Sequence, residues 1–244
     1  MEKDQIIEKL FSVGAHFGYS PSRRHPSTAP FIYGSKGGTE LFDLEKTAGC
    51  LEGALAFVKS LAQERKVILF VGGKAEARGA LKRVAERLNL PYVASRWIGG
   101  TLTNFGEIRK RLNRLTELSD MREKGELGKF TKLERLLIDR EITELDLMFG
   151  GLRGMNKLPD AVVVIDPRQE DGVVREARQF GIPVIALLNS DCDRSLITYP
   201  IPANDASVDN ITFILDKIGE AYADNLAPAP TAAPAEAPAH DARA

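Results

Sequence analysis

The chain has 244 residues, 43% of them hydrophobic and 27% charged, with a formal net charge of −1. This is enough apolar material for one large domain or two small ones, and no run approaches the roughly 18 apolar residues of a membrane span. Two cysteines far apart, Cys50 and Cys192, give neither a disulfide framework nor zinc spacing, and the charged start Met1-Glu2-Lys3-Asp4 has no apolar signal core, so a cytoplasmic location is expected.

Residues 4–11 place Ile6, Ile7, Leu10 and Phe11 on one helical face, which predicts a short amphipathic helix. Pro, Gly and Ser then recur through Pro26 too densely for regular structure, so a long loop is expected. Residues 40–43 read as a short extended piece. Asp43 is placed to cap a helix running to about residue 65, with Leu51, Leu55, Val58 and Leu61 inside. Residues 66–71 form the continuous apolar run of a parallel strand buried on both faces. Gly72-Gly73-Lys74 ends that strand. A helix over 75–88 and a strand over 91–94 complete a βαβ unit.

The alternation stops at Arg96-Trp97-Ile98-Gly99-Gly100-Thr101-Leu102-Thr103-Asn104-Phe105. Two helical segments follow with no strand between them. Asn104 with Glu107, and Thr131 with Glu134, have the spacing of capping boxes. Phe105, Ile108, Leu112 and Leu115 repeat at 3-4-3 spacing, and Ile138, Ile142, Leu145 and Phe149 at 4-3-4. Residues 124–128, with two glycines, break the helix between these seams. Residues 103–157 are therefore expected to form an antiparallel coiled-coil hairpin. It is inserted into an α/β body made of residues 1–102 and 158–226. The body resumes with strands at 161–165 and 183–188, a helix at 169–180, an edge strand with prolines at 199–202, and a helix capped by Ser207 to about 225. Residues 227–244 are mostly Ala and Pro and are expected to be a disordered tail.

The small net charge hides a segregation. Residues 158–226 carry 12 acidic and five basic side chains, which leaves residues 1–157 net positive. No acidic residue occurs from Phe11 to Thr39, where Arg23, Arg24 and Lys36 stand among His16, Phe17, Tyr19, His25, Phe31 and Tyr33. Cations neutralise phosphates and rings stack on unpaired bases, so one side of the protein is expected to face a polyanion. Arg23, Arg24 and His25 read as binding residues, and Phe17, Phe31 and Tyr33 as core anchors of the loop. At the junction, Arg96 and exposed backbone N–H groups could meet phosphate, or Trp97 could simply wedge two domains apart. Arg109, Lys110, Arg111 and Arg114 make the first hairpin helix strongly basic.

Three features imitate enzyme sites. Val71-Gly72-Gly73-Lys74 lies between a strand and a helix like a phosphate loop, yet Ile68 and Ala75 stand where a Walker loop needs Gly and a hydroxyl. Lys74 and a helix N-terminus could still attract one phosphate. Asp166 and the run Asp191-Cys192-Asp193 sit at strand ends, where α/β enzymes place their sites. A metal held there with His16 is the minor reading; turn and cap formation by Asp166 and Asp193 is the major one. No nucleophile elbow, triad order or Cys-His pairing is present. No catalytic residue, metal or cofactor is assigned. The competing functional reading is an α/β enzyme or sensor for a phosphorylated small molecule; another is a coiled-coil adaptor without nucleic acid.

Taken together, Gly14-Ala15-His16-Phe17-Gly18, Phe42-Asp43-Leu44-Glu45-Lys46-Thr47, Val71-Gly72-Gly73-Lys74, the run from Arg96 to Asn104, Leu158-Pro159-Asp160 and Ile201-Pro202-Ala203-Asn204-Asp205-Ala206 resemble the bacterial-type ribosomal small-subunit protein S-two family. The resemblance implies a flavodoxin-like parallel sheet with helices on both faces plus the coiled-coil insert. It implies a ribosome-bound protein that contacts small-subunit rRNA, performs no catalysis, and helps seat neighbouring proteins, including the large mRNA-binding protein one. The chain departs from the family pattern at Tyr19, at Arg24-His25-Pro26, at Asn189-Ser190-Asp191 and at Ser207-Val208-Asp209. The residues expected to meet rRNA are His16, Arg23, Arg24, His25, Lys36, Lys74, Arg96, Trp97, Thr103, Asn104, Arg109, Lys110, Arg111 and Arg114.

Overall fold

A computed structural model describes residues 3–227. Its centre is a five-stranded parallel sheet: β3 (Ile68–Val71), β4 (Tyr92–Val93), β5 (Ala161–Ile165), β6 (Val184–Leu188) and β7 (Tyr199–Pro202), in the order β4-β3-β5-β6-β7. Counted from β3 this is 2-1-3-4-5, the order of the flavodoxin type of doubly wound sheet. Every residue of β3, β5 and β6 is buried. Helices cover both faces, so these strands have no polar side to show water.

The pleat divides the core in two. Ile68, Phe70, Val163, Ile165, Ile185 and Leu187 point to one face, where α1 (Lys3–Ser12), α2 (Leu44–Gln63), α3 (Ala75–Leu88) and α7 (Val208–Ala223) pack. Leu69, Val71, Val162, Val164, Val184 and Ala186 point to the other. That face is covered by α6 (Asp171–Gln179) and by the base of the segment containing α4 (Phe105–Glu123) and α5 (Lys132–Phe149). Asp43 caps α2 and Ser207 caps α7, as their side-chain chemistry predicts. The strand β7 is an edge, which tolerates its prolines.

The strand-free segment forms two helices that pack on each other, with Arg114 bonded to Glu141 across the pair. Ile108, Leu112, Leu115, Ile142, Leu145 and Phe149 are buried along the contact. Gly125, at φ 72°, turns the chain out of α4. The capping box at Thr131 and Glu134 forms. The one expected at Asn104 and Glu107 does not, because the Asn104 backbone N–H already donates to the Gly100 carbonyl at 2.7 Å. Glu107 pairs with Lys110 instead. Where the chain leaves α5, a side chain at Gly151 would stand 2.3 Å from the Tyr92 carbonyl oxygen. That close approach covers the open edge of β4.

Two expectations need correction. Residues 32–36, read as loop, form β1 (Ile32–Lys36), paired antiparallel with β2 (Thr39–Phe42) through a turn at Gly37 and Gly38. A two-stranded ribbon buries little, so Tyr33 is 82% and Phe17 47% exposed rather than anchored in the core. The tail expected over 227–244 lies, but for its first residue, outside the described residues.

Candidate nucleic-acid interface

The carboxyl ends of the strands, where an α/β enzyme would hold its ligand, are filled by the protein's own groups. Lys74 follows β3 and turns inward, 16% exposed. Its Nζ donates to Asp166 Oδ2 at 2.7 Å, after β5, and to Asp205 Oδ2 at 2.6 Å, after β7. Burial opposes the charge on Lys74, but the hydrogen bonds to the two carboxylates outweigh it and hold the ammonium's pKa above the ordinary lysine value. Asp205 also accepts from Asn189 Nδ2 at 2.7 Å. Lys74 is therefore an internal counter-ion, where the sequence left it able to attract one phosphate. The glycine loop is similarly occupied: Gly73 N–H donates to Glu170 Oε1 at 2.9 Å, so a carboxylate already sits where an anion would bind. Burial raises the Glu170 pKa, partly countered by that bond.

The N-terminal loop straps over this crevice. Tyr19 N–H donates to Ser190 Oγ at 3.0 Å, and His25 N–H and Thr28 Oγ1 both donate to the Ser190 carbonyl. Arg23 and Arg168 both bond Asp191. Arg24 reaches the buried carboxylate of Glu40 at 3.0 Å. The His25 ring accepts from Ser27 N–H. His16 packs on Phe11 and Phe17 instead of joining the acidic loop, and its Nδ1 has no hydrogen-bond partner among the described residues. Burial lowers its pKa. Asp166 and Asp193 accept from backbone N–H groups two residues on, the turn and cap roles expected of them. Among the described residues no group of three or more His, Cys, Asp or Glu side chains is arranged to hold a metal.

The junction is organised by a residue that sequence reading missed. Glu176, on α6, accepts from Trp97 Nε1 at 3.0 Å and from the backbone N–H groups of Gly100, Leu102 and Thr103 at 2.8, 2.9 and 3.0 Å. Thr103 Oγ1 adds a bond at 3.2 Å. Of the two readings of the junction, phosphate contact or wedge, the first loses these N–H groups, which are committed to an internal carboxylate. Trp97 is buried, its ring against Gly172, and is a wedge rather than a stacking platform. Nothing local marks Glu176, which is one of two acids on a short amphipathic helix.

Burial would raise the Glu176 pKa, but Trp97 and the three N–H groups outweigh it and hold it below the ordinary value. A depressed carboxylate pKa stabilises the fold above the unfolded pKa of about 4.3, and this is lost as pH falls through the folded pKa. Glu176→Gln is expected to cost about 2 kcal/mol at neutral pH. The gap to the parent, measured by urea unfolding, should close in acid; a constant gap would show that the charge is not what holds the junction.

What remains outward is a set of cations around the junction and α4, with Lys36 apart from them on β1. Lys36, Arg96, Arg109 and Arg111 are exposed and belong to no ion pair among the described residues. Asn104 is exposed beside them. Lys110 and Arg114 are exposed too, with surface partners Glu107 and Glu141, which are weak competitors for a phosphate. At about 100° per residue these cations ring the solvent side of α4 instead of forming one narrow stripe. Sequence reading also passed over Arg78, Lys82 and Arg153, which line a cleft of about 620 Å³ between α3, β4 and the end of α5. Arg78 and Lys82 lie on α3 and Arg153 beyond the end of α5, so no run of charge reveals them.

The family model for ribosomal protein S2 matches residues 10–225. Similar curated proteins, each called "Small ribosomal subunit protein uS2", include one from Coprothermobacter proteolyticus, 41% identical over 88% of this chain and 80% of that protein. One from Roseiflexus is 42% identical over 88% and 82%, and one from Chloroflexus aurantiacus 40% over 88% and 90%.

Proposed function

Since this chain belongs to the ribosomal protein S2 family, we infer that its role in the small ribosomal subunit is to bind the subunit's rRNA and help seat neighbouring proteins. The family is structural and not enzymatic, and the self-filled crevice agrees with that. The observation carrying the RNA reading is the set of outward cations, Arg96, Arg109 and Arg111 together with Lys110 and Arg114, on a chain whose C-terminal third is acidic. Arg23 and Arg24, still part-exposed beside Asp191 and Glu40, together with His25 and Lys36 supply further phosphate contacts from the N-terminal loop and β1. Residues 103–157 act as an inserted coiled-coil hairpin that carries the basic helix away from the body; the two buried seams support this. The acidic remainder faces solvent or a protein, among them the large mRNA-binding protein one. Such a protein works at the ribosome in the cytoplasm, and no described helix is long and apolar enough to cross a membrane.

Phosphate contacts release counterions, so affinity falls with salt by about 0.7–0.9 log units per phosphate neutralised. Changing Arg109, Lys110, Arg111 and Arg114 together to Gln is expected to weaken binding to small-subunit rRNA and to flatten this dependence. Binding of the purified protein across a salt series measures both. An unchanged slope would move the RNA contact off α4.

A further inference from the structure

The solvent face of α5 is apolar where a surface helix is ordinarily polar. Leu133, Leu136, Leu137 and Leu147 are 66%, 48%, 53% and 72% exposed. At about 100° per residue they fall opposite the buried seam of Ile142, Leu145 and Phe149. Arg140 and Glu144 lie among them, both exposed and in no ion pair among the described residues. They are four apart on the helix, but with the cation first, which is the weaker order for pairing within a helix.

The pattern is complementary to itself. A second α5, turned end for end about a point level with Ile142, brings Glu144 opposite Arg140 and Arg140 opposite Glu144. Leu136 then meets Leu147, and Leu137 meets Met148, each on the same side of the contact line. A twofold contact needs this self-matching. RNA does not fit the face, because leucines offer phosphate nothing and acids outnumber bases on α5.

We propose that the outer face of α5 docks on a second copy of this chain, antiparallel, with Arg140 meeting Glu144 twice across the twofold axis. One face of an 18-residue helix is a small contact, near the low end of about 1,200 Å² for specific association. The dimer is therefore weak and belongs to concentrated chain outside the ribosome. It does not depend on rRNA binding, which is assigned to α4.

Sedimentation equilibrium of the full chain at low salt, from micromolar to hundreds of micromolar, tests this. A monomer–dimer equilibrium is expected. Arg140→Glu alone and Glu144→Arg alone each weaken it about tenfold, since two attractive pairs become repulsive. The double exchange restores it, and Leu137→Asp abolishes it. Circular dichroism should be unchanged, all these positions being exposed. A chain monomeric throughout, or a dimer indifferent to these changes, overturns the proposal. So does a monomer whose Leu137→Asp variant loses binding to lipid vesicles or to a ribosomal neighbour, which would give the face to that partner.

Discussion

Replacing Leu112 and Ile142 together by Ala is expected to melt residues 105–149 and leave the parallel sheet folded. Both side chains are buried in the contact between α4 and α5, and each large-to-small change there costs about 2–5 kcal/mol. The two helices find their main partners in each other. Their seam, from Ile108 to Leu118 and from Ile142 to Phe149, runs on from the apolar cluster under the sheet, with Leu102 and Leu152 at the join. Hydrogen exchange resolves the outcome segment by segment. Amides of α4 and α5 should exchange quickly while those of β3, β5 and β6 stay protected. Simultaneous loss would show that the apolar base couples hairpin and body into one cooperative unit.

Lys74→Met is expected to destabilise the whole protein by about 3–5 kcal/mol, because it leaves two buried carboxylates facing each other without their cation. Asp205 is fully buried and Asp166 nearly so, so water cannot replace the ammonium. Adding Asp205→Asn to Lys74→Met should recover part of the loss, since the repulsion between acids goes with the charge. Urea midpoints of the three proteins measure this. A Lys74→Met protein as stable as the parent would mean that the crevice opens to solvent. Its rRNA binding at a temperature where it stays folded should be close to that of the parent, because the side chain points away from the outward cations.

The sequence by itself determined whatever is encoded locally. The bounds of α3, the buried runs of β3, β5 and β6, the seams of α4 and α5 and the cap at Thr131 all follow from period and capping chemistry within a few residues. So did family membership, because the run from Arg96 to Asn104 is contiguous. Even local signals failed where two competed: the Gly37-Gly38 turn was hidden by Gly34, Ser35 and Lys36, which make β1 read as loop. Tertiary structure alone decided which polar groups are free. Lys74 is claimed by Asp205 131 residues away, Trp97 by Glu176 79 residues away, and Arg23 by Asp191 168 residues away. A side chain's charge is written at its own position, but its partner is set by how distant strand ends and helices meet. Burial makes that pairing obligatory, since an unpaired charge or N–H inside the protein costs more than the fold can offset. Residues at one apparent site therefore divided into inward ties and outward cations only once the chain was packed.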